Sequence, residues 1–199
     1  MAEEKNDLST QMLDRRVVSL FGEINDKMVD ELLRNLLLLQ LASSDPVYLV
    51  IDSGGGELYS ALRLYDALEH MFTMEVSAVV LGECKSAATF VLLACKNRLA
   101  TPHSRFMIHS GLVSGIKIKT DDLTAVKIQH LLAEINEETT ALTELYRKKL
   151  AKEPEEIKAL IARGDQDFNN GFFAQEALQI GLITAVVTGK LPFFPNKTE

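Results

Sequence analysis

Val47-Tyr48-Leu49-Val50-Ile51, followed at once by Asp52-Ser53-Gly54-Gly55-Gly56, is the most informative stretch of this chain. The first five residues form a nearly continuous apolar run. Such a run lacks the alternation of a strand with one wet face, and it reads as a strand buried on both faces, as in a parallel sheet. The DSGGG segment ends the run, and Glu57 to Met71 continues as an amphipathic helix. The same alternation extends in both directions. Upstream, Arg16 to Phe21 reads as a strand closed by Gly22, and Met28 to Leu41 as a helix with Asp26 as its N-cap. Downstream come a strand at Val76–Leu81, a small-residue buried helix at Ser86–Cys95 and a strand at Arg105–His109. Phe173–Ile180 reads as a helix stopped by Gly181, and Leu182–Val187 as a last strand. Strands separated by helices along one chain predict an α/β domain with a largely parallel sheet.

The remaining segments frame that domain. Residues 1–11 read as a flexible lead-in, 12–190 as a single domain, and 191–199 as a tail with two prolines. Gly111 to Thr120 alternates weakly between apolar and polar residues. Leu123 to about Lys152 is a helix far longer than the roughly 11-residue average, with Leu131, Ile135, Leu142 and Leu145 on one stripe. A short helix, Ile157–Ala162, follows Pro154.

Composition narrows the function. The chain has 199 residues, 47% of them apolar and 25% charged, and a formal net charge of −7. That balance argues against a nucleic-acid binder, which needs a basic face, and against an anionic membrane surface. No apolar run approaches the roughly 18 residues of a membrane span, and the acidic, polar start is not a signal peptide. Cys84 and Cys95 sit in apolar surroundings, as expected in a reducing compartment, and no Cys/His spacing suggests zinc. The cytoplasm is the expected setting.

Three segments carry residues suited to chemistry. The glycines of DSGGG let backbone N–H groups approach a ligand at a helix N-terminus, which suits a phosphate or the oxyanion of an acyl transfer; a tight strand-to-helix turn is the plainer reading. In Gly82 to Thr89 (GECKSAAT), Ser86 stands where a strand gives way to a helix. It is either an N-cap or a hydroxyl poised among small residues. His109 ends its strand at a carboxyl edge, where ligand sites of parallel sheets gather, or is a hydrogen-bonded structural residue. His70 closes a helix and His130 lies on the long helix, where solvent is the default, and His103 follows Pro102 in a turn. Taken together, a glycine-rich anion loop, a serine at a helix start and a histidine at a strand end supply the parts of nucleophilic catalysis.

These segments resemble the proteolytic subunit of the ATP-dependent Clp protease. DSGGG is similar to that family's N-S-P-G-G, and GECKSAATFVLLA to its G-x-x-A-S-M-G-A-x-L-L. TPHSRFMIHSG is similar to P-N-S-R-x-M-I-H-Q-P, and FFAQEALQIGLI to S-A-x-E-A-x-x-Y-G-L-I-D. The four segments run in the family's order from about Asp14 to Val187. The resemblance implies an α/β fold of repeated ββα units, of the kind Clp proteases share with crotonases, and a protruding handle at about 111–152. It implies Ser86 as nucleophile and His109 as general base, with Gly55, Gly56 and the N–H of Ala87 as oxyanion hole. Ungapped counting back from Ala174 puts Asn169 in the acidic position of the triad. A gap within GDQDFNNG would bring Asp167 there, and Asp165 is close by.

The resemblance further implies a serine endopeptidase acting on unfolded proteins or peptides, with no metal or organic cofactor and with ATP used only by a partner. Its expected assembly is a heptameric ring, stacked as a tetradecamer, with an AAA+ unfoldase or a paralogous subunit as further partner. The chain departs from the family in a leading segment of about ten polar residues, shorter than the family's, and in Glu83 and Lys85 beside the serine. Two alternatives stay open: a weak or silent structural subunit of a mixed ring, and an acyl-CoA enzyme of the crotonase type.

Overall fold

The computed structural model describes residues 8–110, 124–166 and 171–191. The alternating stretch 111–120 and most of the tail fall outside these residues. In chain order the elements are α1 (Leu8–Asp14), β1 (Val17–Ile24), α2 (Asp26–Ala42), β2 (Val47–Gly56), α3 (Leu58–His70), β3 (Val76–Lys85) and α4 (Ala88–Ala94). Then follow β4 (Arg98–Ala100), β5 (Arg105–Met107), α5 (Ala125–Leu150), α6 (Pro154–Gln166), β6 (Phe172–Phe173), α7 (Ala174–Gln179) and β7 (Ala185–Val186). Two compact units divide them: residues 108–171 form one, and the flanking 1–107 and 172–199 form the other.

The larger unit is built on a sheet ordered β1-β2-β3-β4-β7, in which every one of these neighbours is parallel. β5 pairs with β3 in parallel and with β6 in antiparallel fashion. The parallel α/β expectation is met. Leu49, Val50 and Ile51 of β2 and Ala78, Val79 and Val80 of β3 are all buried, so the central strands are covered on both faces, as their continuous apolar runs require. Val17, Val50 and Val79 form a small core cluster against which Met12 and Leu191 pack. The stripe Val29, Leu32, Leu36 and Leu39 of α2 is buried, as are Ala61, Leu64 and Leu68 of α3.

Some local readings change. Asn25, not Asp26, is the N-cap of α2, its side-chain oxygen accepting from Met28 N–H at 3.0 Å. Asn25 takes the extended backbone that a cap needs, while Asp26 is already helical. The lead-in is helical from Leu8. β2 and β3 run further than their apolar cores, carrying the glycines and Lys85 within the strands. A β-bulge separates the Ile51 and Ser53 pairings of β2 with β3, where the register shifts. The C-terminal end of α2 is closed by Arg16, itself at φ +56. Its guanidinium donates to the carbonyls of Leu39, Ser43, Asp45 and Pro46, where cationic donors are favoured by the helix dipole.

The smaller unit contains the long helix and its partner. Thr124 caps α5, accepting from Lys127 N–H, and the helix runs 26 residues. The buried residues Leu142, Tyr146 and Leu150, each four apart, are on the face of α5 that packs on α6, which buries Ile157 and Ile161. Leu145 is half-buried, and the side chains of Leu131 and Ile135 lie outside the described set. Ala151 ends α5 in the left-handed region at φ +51.

Candidate active site

The serine half of the sequence-predicted residue set belongs to the larger unit. β3 delivers Ser86 at its end, and Ser86 takes φ +51, a left-handed conformation that costs an L-residue about 1–2 kcal/mol. Its N–H donates to Met107 O at 2.8 Å, holding it against the last residue of β5. Ser86 is not the N-cap of α4: that position is Ala87, and no side chain caps the helix. The capping reading is thereby overturned. Thr89 Oγ1 instead donates to Ser86 O at 2.6 Å. The helix beyond is fully buried from Ala88 to Leu93, which explains the small and apolar residues after the serine.

The glycines of DSGGG meet this serine directly. Gly55 has φ +101, and a Cβ there would lie 2.7 Å from Ser86 Cβ, 2.9 Å from Lys85 O and 3.1 Å from Ala87 N. Only glycine lets the two backbones approach this closely. Gly56, at φ +150, lies against the Ile24 backbone in the same way. Ala87 N–H has no acceptor among the described residues. Gly55 N–H does have one: it donates to Ser53 Oγ at 3.1 Å, while Ser53 Oγ–H donates to Gly22 O at 2.6 Å. Asp52 Oδ1 accepts from Glu83 N–H at 2.8 Å and packs where any side chain on Gly82 would fall. Ser53 and Asp52 thus hold the glycine segment between β1 and β3. The two other departures near the serine pair with each other, Lys85 Nζ to Glu83 at 2.7 Å.

The histidine half belongs to the smaller unit. His109 follows β5 by two residues, its side chain only 8% exposed. Burial pushes its pKa below the ordinary imidazole value, against a smaller upward pull from the Asp165 carboxylate and from a backbone hydrogen bond with Ser110. Asp165 Oδ1 stands 3.9 Å from His109 Nδ1 and accepts from both Ser110 N–H and Ser110 Oγ–H. Asn169 and Asp167, the two residues expected at the acidic position, lie outside the described residues. Sequence reasoning passed over Ser53, Asp52 and Gly164. The signal for Gly164 was its place directly before Asp165, inside an otherwise helical stretch.

Neither cysteine belongs to this chemistry. Cys84 is buried, and burial pushes its thiol well above the usual range, the opposite of what a nucleophilic thiolate needs. No group of three or more His, Cys, Asp or Glu among the described residues could hold a metal ion. No described helix is long and apolar enough to cross a membrane.

Known proteins bear the same pattern. The chain is 29% identical over 188 residues to the ATP-dependent Clp protease proteolytic subunit 2 of Treponema denticola, covering 92% of this chain and 87% of that one. Its fold is similar to that of ClpP1 from Listeria monocytogenes, solved as an asparagine-to-aspartate mutant. The TM-score is 0.76 at 25% identity, over 92% of this chain and 98% of that one. The Clp protease family model matches residues 1–190. With a parallel α/β sheet, a glycine segment pressed on a strained serine and a match over nearly its whole length, this chain belongs to the Clp protease family.

Proposed function

We propose that this protein is a serine-type endopeptidase subunit that cuts unfolded proteins or peptides through an acyl-enzyme. Ser86 attacks the scissile carbonyl and His109 takes its proton, then returns it to the leaving amine. Ala87 N–H, with Gly55 or Gly56, receives the oxyanion, and Asn169 or Asp167 orients the imidazole. The Gly55 N–H reaches a substrate oxygen only on release from Ser53 Oγ. Peptide hydrolysis by this route needs no metal or organic cofactor, and ATP enters only through a partner.

The observation that carries the reading is the conformation of Ser86. A left-handed serine that does not cap its helix, pressed by a glycine with no room for a methyl, is held in a costly conformation, and such strain clusters at active sites. The family membership favours peptide hydrolysis over acyl-CoA chemistry. Expected assembly is a heptameric ring stacked as a tetradecamer in the cytoplasm, fed by an AAA+ unfoldase or completed by a paralogous subunit. Enclosure of that kind would confine an unselective peptidase to chains that thread inside.

Labelling of the purified protein with a fluorophosphonate, followed by peptide mapping, tests the chemistry. The expected label is on Ser86 alone and absent from Ser86→Ala. No label on a folded, oligomeric protein would overturn the peptidase reading and leave a structural subunit. Sedimentation of the same sample tests the ring.

A further inference from the structure

Helix α6 ends against the residues around His109, and it does so through two consecutive residues to which the mechanism above gives no role. Gly164 is buried. A methyl at Gly164 would run into the Ile108 carbonyl oxygen and stand 3.0 Å from His109 Cβ. Only a hydrogen at this position lets the helix lie on the 108–109 backbone. Asp165 comes next. Its Oδ1 accepts from Ser110 N–H at 2.8 Å and from Ser110 Oγ–H at 2.9 Å. The same oxygen is 3.9 Å from His109 Nδ1, too long for a hydrogen bond but close enough for its charge to act on the ring.

We infer that Asp165, seated by Gly164, is a positioning residue for His109: it pins the chain immediately after the histidine and holds a negative charge beside the ring. The inference rests on the reading of His109 as general base. It matters most where Asn169 is the orienting residue, because an amide accepts a hydrogen bond but supplies no charge to an imidazolium. Asp165 supplies that charge from α6. No proton passes to it; the imidazolium formed during acylation is stabilised across the 3.9 Å gap. Among the described residues, Asp165 from α6 is a charged group acting on His109, and Ser110 acts from the histidine's own segment through its backbone.

Asp165→Asn is the informative variant, because an amide oxygen still accepts from both Ser110 donors while the charge is gone. The rate of Ser86 labelling by a fluorophosphonate would be followed against pH in the full-length protein, beside NMR titration of the His109 ring, which needs no activity. The expected result is a His109 titration moved to lower pH and an acid limb of labelling moved with it. The plateau rate falls about tenfold, the effect of roughly one pKa unit of lost interaction. Ser110→Ala, which keeps the charge and loses one hydrogen bond, slows labelling and leaves the titration in place. A parent-like plateau and an unmoved His109 titration in Asp165→Asn would overturn the inference while leaving the base reading intact. Parent-rate labelling in His109→Ala would overturn the base reading, and this inference with it.

Discussion

The two halves of the candidate residue set, around Ser86 and around His109, are made by different physics. The serine half is a backbone construction: Ser86 is held at φ +51 and Gly55 at φ +101, and a missing methyl group allows their contact. An ion pair beside it, Lys85 with Glu83, involves flanking side chains. The histidine half has one such close approach, at Gly164, and adds to it a side-chain and charge construction, with a buried imidazole, a carboxylate beside it and a hydroxyl that donates to that carboxylate. Steric construction tolerates almost no change in shape. Charge construction tolerates changes of shape but responds to pH.

That contrast is broken most directly at Gly55. Gly55→Ala adds a methyl 2.7 Å from Ser86 Cβ at a positive φ, so overpacking and backbone strain together should cost about 2–6 kcal/mol. Urea denaturation measures it, and a loss under about 1 kcal/mol would mean the serine half is not sterically set.

Gly164→Ala is the matching change on the other side. Its methyl meets the Ile108 backbone, but it sits near the end of α6, where a helix shifts more easily. A smaller loss of about 1–3 kcal/mol is expected by the same measurement. A larger loss than at Gly55 would reverse the comparison.

Charge dependence sharpens it further. Burial holds the His109 pKa below its unfolded value, so the unfolded chain takes up the proton first as pH falls. The stability owed to the neutral buried ring is complete above the unfolded imidazole value. It is lost as pH drops from there through the depressed native value. His109→Gln should therefore lose less stability than the parent between pH 7.5 and pH 5, read from urea midpoints at about those two values. An equal loss would place the acid sensitivity elsewhere.

The smallest effect belongs to the pair beside the serine. Glu83 is 44% exposed and Lys85 16%, so breaking it with Lys85→Met should change stability by about 0.2–1 kcal/mol. A change above about 2 kcal/mol would show that the serine half also depends on charge.

The same division governs what could be read from the sequence. The serine half lay in two contiguous runs, DSGGG and GECKSAAT, because backbone geometry leaves its mark in glycine and in small residues close in the chain. The parallel sheet was legible for a similar reason, since VYLVI and VSAVV have no wet face. Asp165 was visible only as one acid among several near Ala174, because its partner Ser110 is 55 residues away and nothing local announces the pairing. β4 and β6, of three and two residues, went unread, while β5 and β7, which are as short, lie within longer apolar runs. Phe172 and Phe173 become a strand only by pairing with Phe106 and Arg105, a tertiary effect that periodicity does not encode. α2 was displaced by one residue at its cap because Asn25 and Asp26 are both good capping types.

Three residues other than glycine hold a positive φ among those described, Arg16, Ser86 and Ala151, and they form a natural control on one another. At Ala151 the side chain is a lone methyl at a helix end, so an engineer could place glycine there and relieve the strain with nothing chemical removed. At Arg16 the same exchange would forfeit the guanidinium that closes α2. At Ser86 glycine would relax the backbone and erase the hydroxyl. A library selected only for heat resistance should drift toward glycine at 151 and resist it at 16. If Ser86 is the nucleophile proposed above, a library selected only for turnover should hold serine at 86 however much the protein would gain by giving it up. On the proposed role of Ser86, position 86 is thus where the demands of durability and of activity part company in this chain.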